Sequence, residues 1–315
     1  MNRISVLLAA ALCLAIVACG TEAPAVPGRP SPTATIGSAN PTGPRTVTDM
    51  TGRAVSVPET VRSVVALSPS AADFAVSLGL EVLGRTTDTP ESAAPGAKPV
   101  GSAISPDFNA IAALKPDLVI ADAAYQAGRT RDFDRFAYPV FMLKAGSYVE
   151  VLAALTALGA ATGHPEEAAT TRAALEERAT KAAQAARTHA TSPTVLILTG
   201  GGRDVFGGST ATYLGNLVQV LGATNVLGAV ADGGPIPGFG VVDVAQSAVL
   251  NPDVVLILPS GQGGLAAQIR AEKAWTNTPA LRQNRIHDLD TALFLRSPGP
   301  RVGEALEVLL ALLWP

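Results

Sequence analysis

Three arginines, Arg85, Arg203 and Arg296, are the side chains in this sequence best suited to bind a ligand. A guanidinium group stays charged and holds several donors in one plane, which matches carboxylate, hydroxamate or catecholate oxygens. Each arginine lies in a segment expected at the carboxyl end of a strand, where α/β proteins bind ligands. The arginines therefore predict a site for an anionic ligand. For each one, the alternative is a solvated side chain or a salt bridge that holds a loop.

Hydroxyl and aromatic side chains in the same kind of loop complete the predicted site. Hydroxyls donate and accept hydrogen bonds, and aromatic rings supply apolar contact area. For the phenylalanines, the alternative is packing in the core. Besides the arginines, the predicted ligand-binding residues are Ser68, Ser70, Ser102, Tyr125, Phe206, Phe239 and Phe294.

The sequence predicts no catalytic centre, bound cofactor or metal site. Of its three histidines, His164 and His189 border one predicted helix, so a nucleophile, base and orienting acid cannot be assembled around them. His287 is expected at a strand end, which disfavours capture of a bare metal ion. Residues 200–208 are glycine-rich but lack both the Gly-Lys-Ser/Thr pattern and the spaced glycines of phosphate-binding loops.

Alternating strands and short helices are expected to position the candidate residues. An apolar run without alternation, such as residues 117–121, is typical of a parallel strand covered on both faces. Before residue 147 the sequence predicts a hairpin over 46–57, strands over 61–67, 81–85, 117–121 and 140–143, and helices over 71–78, 108–114 and 130–136.

A helical pattern occupies the middle of the chain. Leucines at 152, 155 and 158 recur at helical spacing until Gly163, and Pro165 with two following glutamates begins a second helix. That helix continues to about residue 190 and, at 1.5 Å per residue, would reach about 38 Å. It is long enough to connect two lobes.

The stretch LKPDLVIA at 114–121 recurs as LNPDVVLI at 250–257. Because leucine, proline and aspartate are common in α/β loops, the repeat gains its weight from a matching order of elements. Around the second copy we expect strands over 194–198, 253–258 and 285–289 and helices over 211–221, 244–250, 265–275 and 301–313. The predicted fold is α/β: two Rossmann-like lobes, each with a mainly parallel central sheet, joined by a long α-helical strut, with a ligand cleft between the lobes.

The first residues predict export. A cationic start precedes an apolar run over residues 4–18 that is too short for a transmembrane helix. The run ends in IVACG at 16–20, which resembles the bacterial lipobox, so Cys19 is expected to receive a lipid. The alternative is an ordinary cleavage site near a chance cysteine. Cys13 would be removed with the signal, which leaves no further thiol in the mature body.

Composition divides the chain into segments. Residues 21–45 are rich in proline, threonine, serine and glycine. They can bury too little apolar surface to offset the conformational entropy that is lost on folding. A net charge of −3 without a basic run disfavours nucleic acid as a partner. The expected segments are a signal peptide at 1–18, a disordered tether at 19–44, a first lobe at 45–146, a helical connector at 147–191 and a second lobe at 192–315.

Several short motifs, in this order, resemble the helical-backbone class of solute-binding proteins that feed ABC importers for ferric siderophores, haem and vitamin B12. The resemblance covers residues 46 to 314. It implies a lipid-anchored receptor on the outer face of the cytoplasmic membrane that captures a metal chelate, expected to be a ferric siderophore, and delivers it to a permease. The motifs are DMTG at 49–52, VP at 57–58, VVALSPS at 64–70, LG at 78–79 and 83–84, VGS at 100–102, YLG at 213–215, LGA at 221–223, NPD at 251–253, Trp275 and PAL at 279–281.

Departures from the family pattern bear on the ligand. The vitamin B12 binder of the family carries aromatic rings in early loops where this sequence aligns Thr86, Thr87 and Ala103. Aromatic residues make up only 4% of the chain, so a flat corrin would find few stacking surfaces. This disfavours cobalamin, and haem as well, although Tyr125 could serve as an iron ligand. Cobalamin and haem stay as the alternative ligands.

The resemblance also implies partners. Family members commonly carry a glutamate on each lobe tip that meets the permease, and the aligned positions here are Asn109 and Ala245. Asp107 and Asp243 are near enough in sequence to substitute. The expected partners are thus a chelate, an ABC permease with its ATPase, and the membrane through the N-terminal lipid. The missing glutamates leave open a ligand sensor that is not coupled to transport.

Overall fold

Two α/β lobes and a pair of connecting helices make up the described part of the chain. The computed structural model describes residues 43–229, 233–234, 236–261 and 264–315. The predicted signal peptide, Cys19 and nearly all of the predicted tether lie outside the described residues.

The first lobe is built on a fully parallel sheet. Its strands are β1 (Arg45–Thr48), β2 (Ala54–Val57), β3 (Ser63–Ala66), β4 (Glu81–Arg85), β5 (Lys98–Pro99), β6 (Gly101–Ser102), β7 (Ser105–Pro106), β8 (Leu118–Asp122) and β9 (Val140–Leu143). Its helices are α1 (Pro69–Ser77), α2 (Phe108–Leu114), α3 (Ala123–Gln126) and α4 (Thr130–Phe133). The sheet order is β5-β4-β3-β8-β9, while β1 with β2 and β6 with β7 form separate antiparallel pairs. All of β8 is buried, which explains its unbroken apolar run.

The connector consists of α5 (Tyr148–Thr162) and α6 (Pro165–Arg187). Ser147 caps α5, and Gly163 ends it in the left-handed conformation. Each helix contacts both lobes. Oδ1 of Asn216 in the second lobe accepts from the first backbone N–H of α5, and α6 reaches α1 through a hydrogen bond from Thr171 to a carbonyl oxygen. The predicted strut therefore exists, packed along the lobes rather than standing free between them.

The second lobe has a mixed sheet. Its strands are β10 (Thr194–Gly201), β11 (Asp204–Gly208), β12 (Thr224–Asn225), β13 (Phe239–Val241), β14 (Val254–Pro259) and β15 (Ile286–Asp288). Its helices are α7 (Tyr213–Val220), α8 (Val244–Ser247), α9 (Leu265–Ala271), α10 (Pro279–Arg282) and α11 (Val302–Leu313), with a π-helical turn over Ala292–Arg296. In the order β13-β11-β10-β14-β15, only the pairs that include β11 are antiparallel.

The repeated stretch has one structure in both lobes. In each copy a helical segment ends at a residue in the left-handed conformation, Lys115 at φ 50° and Asn251 at φ 49°. A proline follows, and it prevents the helix from continuing. The chain then enters an interior strand of its sheet, β8 or β14, which lies one position in from the edge strand.

The aspartate of each copy fixes the neighbouring strand. The carboxylate of Asp117 accepts hydrogen bonds from the backbone N–H and the hydroxyl of Ser63, at 2.9 and 3.0 Å, where β3 begins. The carboxylate of Asp253 accepts the same pair of bonds from Thr194, both at 2.8 Å, where β10 begins. The two copies thus do the same structural task, which supports the duplicated plan.

The structure differs from the predicted elements mainly around glycine. Residues 200–206, expected as a loop, extend β10 and form the antiparallel β11, and β13 pairs outside it. Because glycine is rare in strands, the glycine-rich segment did not predict this hairpin. The helix predicted over 265–275 ends at Ala271, and the helix predicted over 130–136 ends at Phe133. None of the described helices has the length and apolar character needed to cross a bilayer.

Candidate ligand-binding cleft

A cavity of about 590 Å³ lies between the two lobes. Segments that follow β6, β8, β9, β11 and β15 line it, so ligand access is at the carboxyl ends of the strands, as expected for parallel α/β sheets. Its walls are formed by Ile104, Ala124, Tyr125, Gly146, Ala211, Thr212, Tyr213, Leu214, Ile236, Pro237, Phe239, Leu258, Phe294, Leu295 and Arg296. The predicted cleft between the lobes is present.

Two smaller cavities adjoin this one and share its walls. One, of about 260 Å³, lies on the side of the first lobe and is bordered by Asp122, Lys144 and Glu150. The other, of about 280 Å³, lies on the side of the second lobe and includes Asp204 and Phe206. Leu295 borders all three cavities, so we describe them together as the cleft.

A separate cavity of about 540 Å³ lies at the edge of the first lobe. It is bordered by Val76 of α1 and by Glu81 at the amino end of β4, and all of its walls come from this lobe. Ligands of parallel sheets bind at the opposite strand ends. This cavity is therefore not the candidate site.

Gln126 holds the first-lobe rim of the cleft together. Its side chain is fully buried and accepts a hydrogen bond from the backbone N–H of Asp122 at 2.6 Å. Its amide nitrogen donates to the carbonyl oxygens of Leu67 and Ala103, at 3.0 and 2.5 Å. These bonds join the ends of β3 and β8 to the turn between β6 and β7. The rim that presents Tyr125 is consequently rigid.

Burial controls the protonation of the first-lobe wall. It raises the pKa of Asp122 to about 6, although hydrogen bonds from Ala124 and Ser68 oppose the rise. Burial also raises the pKa of Tyr125 to about 12, with Asp122 and Asp88 adding to the rise and Arg296 opposing it. Tyr125 therefore presents a protonated phenol to the same cavity that Arg296 borders.

The second-lobe wall depends on a glycine and on a π-helical turn. Gly200, the last residue but one of β10, has φ +101°, and a Cβ there would lie 2.0 Å from the carbonyl oxygen of Asp204. Only glycine fits this approach. The π-helical turn places Phe294, Leu295 and Arg296 on the cleft one after another.

The charges of the cleft are mixed. Lys144 and Arg296 supply the cations and are both exposed. Glu150 and Asp204 supply carboxylates beside them, together with the buried Asp122. Most of the remaining wall is apolar, so the cleft suits a ligand with an apolar or aromatic body and a few charged groups.

Five predicted ligand residues lie on the cleft. Tyr125, Phe239, Phe294 and Arg296 border the central cavity, and Phe206 borders its neighbour. Phe239 and Phe294 are only 1% and 2% exposed, so each ring serves mainly as core with one edge toward the cleft.

The predicted serines are occupied within the protein. Ser68 is fully buried, where its hydroxyl caps α1 and donates to Asp122 at 3.2 Å. Ser70 is also fully buried and donates to the carbonyl oxygen of Pro298 at 2.5 Å. Ser102 is half-buried and accepts a hydrogen bond from the backbone of Ser105 in its own turn.

Two of the three predicted arginines lie off the cleft. Arg85 forms an ion pair with Glu91 and donates to the carbonyl oxygen of Thr89 at 2.8 Å. It thus holds a loop through a salt bridge, which was the alternative to a ligand contact. Arg203 lies at the turn between β10 and β11 and borders a small pocket beside Asp243. The structure therefore brings Arg296 alone of the three to the cleft wall.

The predicted docking residues stand at equivalent places in the two lobes. Asp107 caps α2 by accepting hydrogen bonds from the backbone of Asn109 and Ala110, at 2.9 and 3.0 Å. Asp243 caps α8 by accepting one from the backbone of Gln246 at 2.8 Å. Both aspartates and Asn109 are exposed.

Sequence reasoning missed Lys144, Glu150 and Gln126. Lys144 directly follows β9, so the rule of strand carboxyl ends could have found it. Gln126 carries no such signal, because it looks like a surface residue. Within the described ranges, no group of three or more His, Cys, Asp or Glu side chains is arranged to hold a metal ion.

Comparisons with known proteins agree with this geometry. The sequence model of the family described as periplasmic binding protein matches residues 64–293. The chain is 26% identical over 285 residues to the uncharacterized ABC transporter substrate-binding lipoprotein YvrC of Bacillus subtilis, and the match covers 86% of each chain. It is 28% identical over 202 residues, 64% of each chain, to the Fe(3+) dicitrate-binding periplasmic protein FecB of Escherichia coli. The structure of the petrobactin-binding protein YclQ of Bacillus subtilis superposes with a TM-score of 0.73 at 18% identity, over 86% of this chain and 99% of that one.

Proposed function

We propose that this chain, which belongs to the periplasmic binding protein family, is the extracytoplasmic solute-binding lipoprotein of an ABC importer and carries a ferric siderophore between its lobes. The matched family is one of binding proteins, so the chain is a binding protein and not an enzyme. The single observation that carries the proposal is the cleft itself, with Tyr125 and Arg296 facing it from opposite lobes.

The composition of the walls supports a chelate of moderate size. A ferric siderophore combines an apolar or aromatic frame with exposed oxygens around the iron. Leu214, Ile236 and Leu295 offer apolar contact to the frame. Arg296 and Lys144 offer charged donors to the oxygens, one from each lobe. The names of FecB and YclQ, which state binding to iron chelates, support the same ligand class.

Haem is the second candidate, because Tyr125 places a phenol on the cleft wall. Iron ligation would require this phenol to lose its proton, and burial raises its pKa to about 12. The bound iron itself would have to offset that cost. Cobalamin has less support, since Phe239 and Phe294 expose too little ring surface to stack on a corrin.

Native mass spectrometry of residues 45–315 tests the ligand class. The panel consists of ferrioxamine B, ferric enterobactin, ferric citrate, haem and cobalamin. We expect one ferric siderophore to bind. Arg296→Ala should weaken its affinity by about tenfold or more, because a charged hydrogen bond is lost. Arg203→Ala is the matched control and should bind normally. Tight binding of haem or cobalamin alone would overturn the ligand, and an equal loss in both arginine variants would overturn the site.

We also propose that Cys19 carries the lipid and that residues 19–44 tether the binding body to the membrane. The lipobox-like stretch and the name of the relative YvrC support this. In the native host, the parent should incorporate radiolabelled palmitate and enter the detergent phase on Triton X-114 partition, and Cys19→Ala should incorporate none. Equal incorporation by Cys19→Ala would refute the anchor.

Docking on a permease is proposed through Asp107, Asn109 and Asp243. Their equivalent, exposed places on the two lobes support it. A ligand sensor without a permease is the alternative. Genes for a permease and an ATPase beside this one would favour transport, and their absence would favour the sensor.

A further inference from the structure

One segment of the second lobe both lines the cleft and touches the first lobe. Leu295 borders all three cavities, and Arg296 borders two of them. The next two residues, Ser297 and Pro298, reach α1 in the first lobe. No flexible stretch separates the ligand wall from the contact between the lobes.

This contact consists of two partly buried hydrogen bonds. The hydroxyl of Ser297, only 4% exposed, donates to Oδ2 of Asp73 at 2.5 Å. The hydroxyl of Ser70, which is fully buried, donates to the carbonyl oxygen of Pro298 at 2.5 Å. Such bonds are strong where water is excluded, and removal of one partner leaves the other unsatisfied.

Close packing surrounds the two bonds. A Cβ at Gly299 would lie 3.4 Å from the ring of Phe74, so the backbone of this segment rests directly on α1. Burial raises the pKa of Asp73, while the hydrogen bond from Ser297 and the charge of Arg301 oppose the rise and the charge of Glu304 adds to it. Arg301 is itself held by Glu304 at 2.9 Å. The segment is therefore fixed on both sides of Ser297.

We propose that Ser70 and Asp73 are positioning residues for ligand binding: acting through Ser297 and Pro298, they set the place of Leu295 and Arg296 and the width of the cleft. This inference rests on the proposed function of the cleft. Neither Ser70 nor Asp73 borders any of its three cavities. The connector consists of helices and has no long hinge loop. Direct contacts between the lobes, such as these two hydrogen bonds, therefore determine the relative position of the lobes.

Spin labels on equivalent exposed positions of the repeat test the inference without a ligand. Ala113 and Val249 are exposed, and residues 45–315 contain no cysteine, so Ala113→Cys with Val249→Cys gives one clean pair. We expect a narrow distance distribution in the parent and a broader one in Asp73→Ala and Ser70→Ala. Asp73→Asn keeps an acceptor for Ser297 and should restore the narrow distribution. Ser77→Ala is the matched control, because that hydroxyl bonds only within α1.

Binding of the same ferric panel gives the second readout. Asp73→Ala should weaken binding of the chelate by about tenfold, because one partly buried hydrogen bond is lost. Because Asp73 is inferred to act through Arg296, the double variant with Arg296→Ala should lose less than the product of the single losses. Independent losses would mean that Asp73 only stabilises the fold.

The outcomes separate this inference from the proposed function. Unchanged distances in Asp73→Ala and Ser70→Ala overturn the positioning role, whatever binds. A parent that binds no member of the panel overturns the proposed ligand class, while the distance measurement still decides whether these residues set the cleft. Broader distances together with coupled binding losses support both.

Discussion

Asp122 should make the protein less stable as the pH rises from about 4 to above 6. Its pKa is raised from 3.8 to about 6 by burial, so between these values the folded state holds a proton that the unfolded state releases. Stability is therefore fully present below the lower value and is lost as the pH passes the upper one. About 2 pKa units at 1.36 kcal/mol each correspond to about 3 kcal/mol.

Asp122→Asn isolates this effect. The asparagine oxygen can still accept from the backbone of Ala124, which now bonds Oδ1 at 2.9 Å, and the amide nitrogen can donate to Ser68. The variant should match the parent near pH 4 and exceed it by up to about 3 kcal/mol at pH 7.5. Urea denaturation of residues 45–315 at four pH values measures the difference. A difference that is constant from pH 4 to pH 7.5 would refute the reasoning.

Asp117 lies at the other end of β8 from Asp122 and provides a control, because its effect on stability has the opposite pH dependence. Burial acts to raise its pKa, but hydrogen bonds from Arg62 and Ser63 outweigh burial and lower it. Its contribution to stability is present above the ordinary pKa of an aspartate and is lost on acidification. Asp117→Asn should therefore cost more stability at pH 7.5 than at pH 4.

Three further predictions concern the backbone and the lobe tips. Lys115→Gly should stabilise the protein by about 0.5–1 kcal/mol in the same denaturation assay, because it relieves a left-handed lysine. Gly200→Ala should cost at least about 2 kcal/mol through its clash with Asp204, whereas Gly202→Ala, also at positive φ but in open space, should cost less; equal losses would argue against the clash. Asp107→Lys with Asp243→Lys should abolish uptake and leave chelate binding intact, and unimpaired uptake would contradict their docking role.

The fold was largely predictable because its signals are periodic and local. The bounds of β4, α2 and β9 agree with the predicted ones, since each segment combines a clear apolar pattern with a proline, glycine or capping residue at its ends. The hairpin of β10 and β11 was not predictable by the same means. Its glycines serve a close backbone approach that becomes visible only once Gly200 and Asp204 are placed in space.

The residues of the cleft were predictable only where their position after a strand brings them to it. Tyr125 and Arg296 follow strands, so topology alone brings them to the same edge of their sheets. Arg85 is the last residue of β4, but its guanidinium binds Glu91 and the carbonyl oxygen of Thr89, and no sequence pattern predicts these contacts. Ser70 shows the same limit, because its partner Pro298 is 228 residues away.

The paired aspartates of the repeat lie at the end of each sheet that is opposite the cleft. Asp117 and Asp253 bind the starts of β3 and β10, whereas the cleft lies at the opposite edge of each sheet, around the carboxyl ends of β8, β9, β10 and β14. Mutations in the cleft that alter ligand preference can therefore leave the hydrogen bonds of Asp117 and Asp253 at the opposite end of each sheet unchanged. A chimera that keeps both aspartates and exchanges only the cleft loops with those of a relative should therefore bind the relative's ligand and keep the stability of the parent.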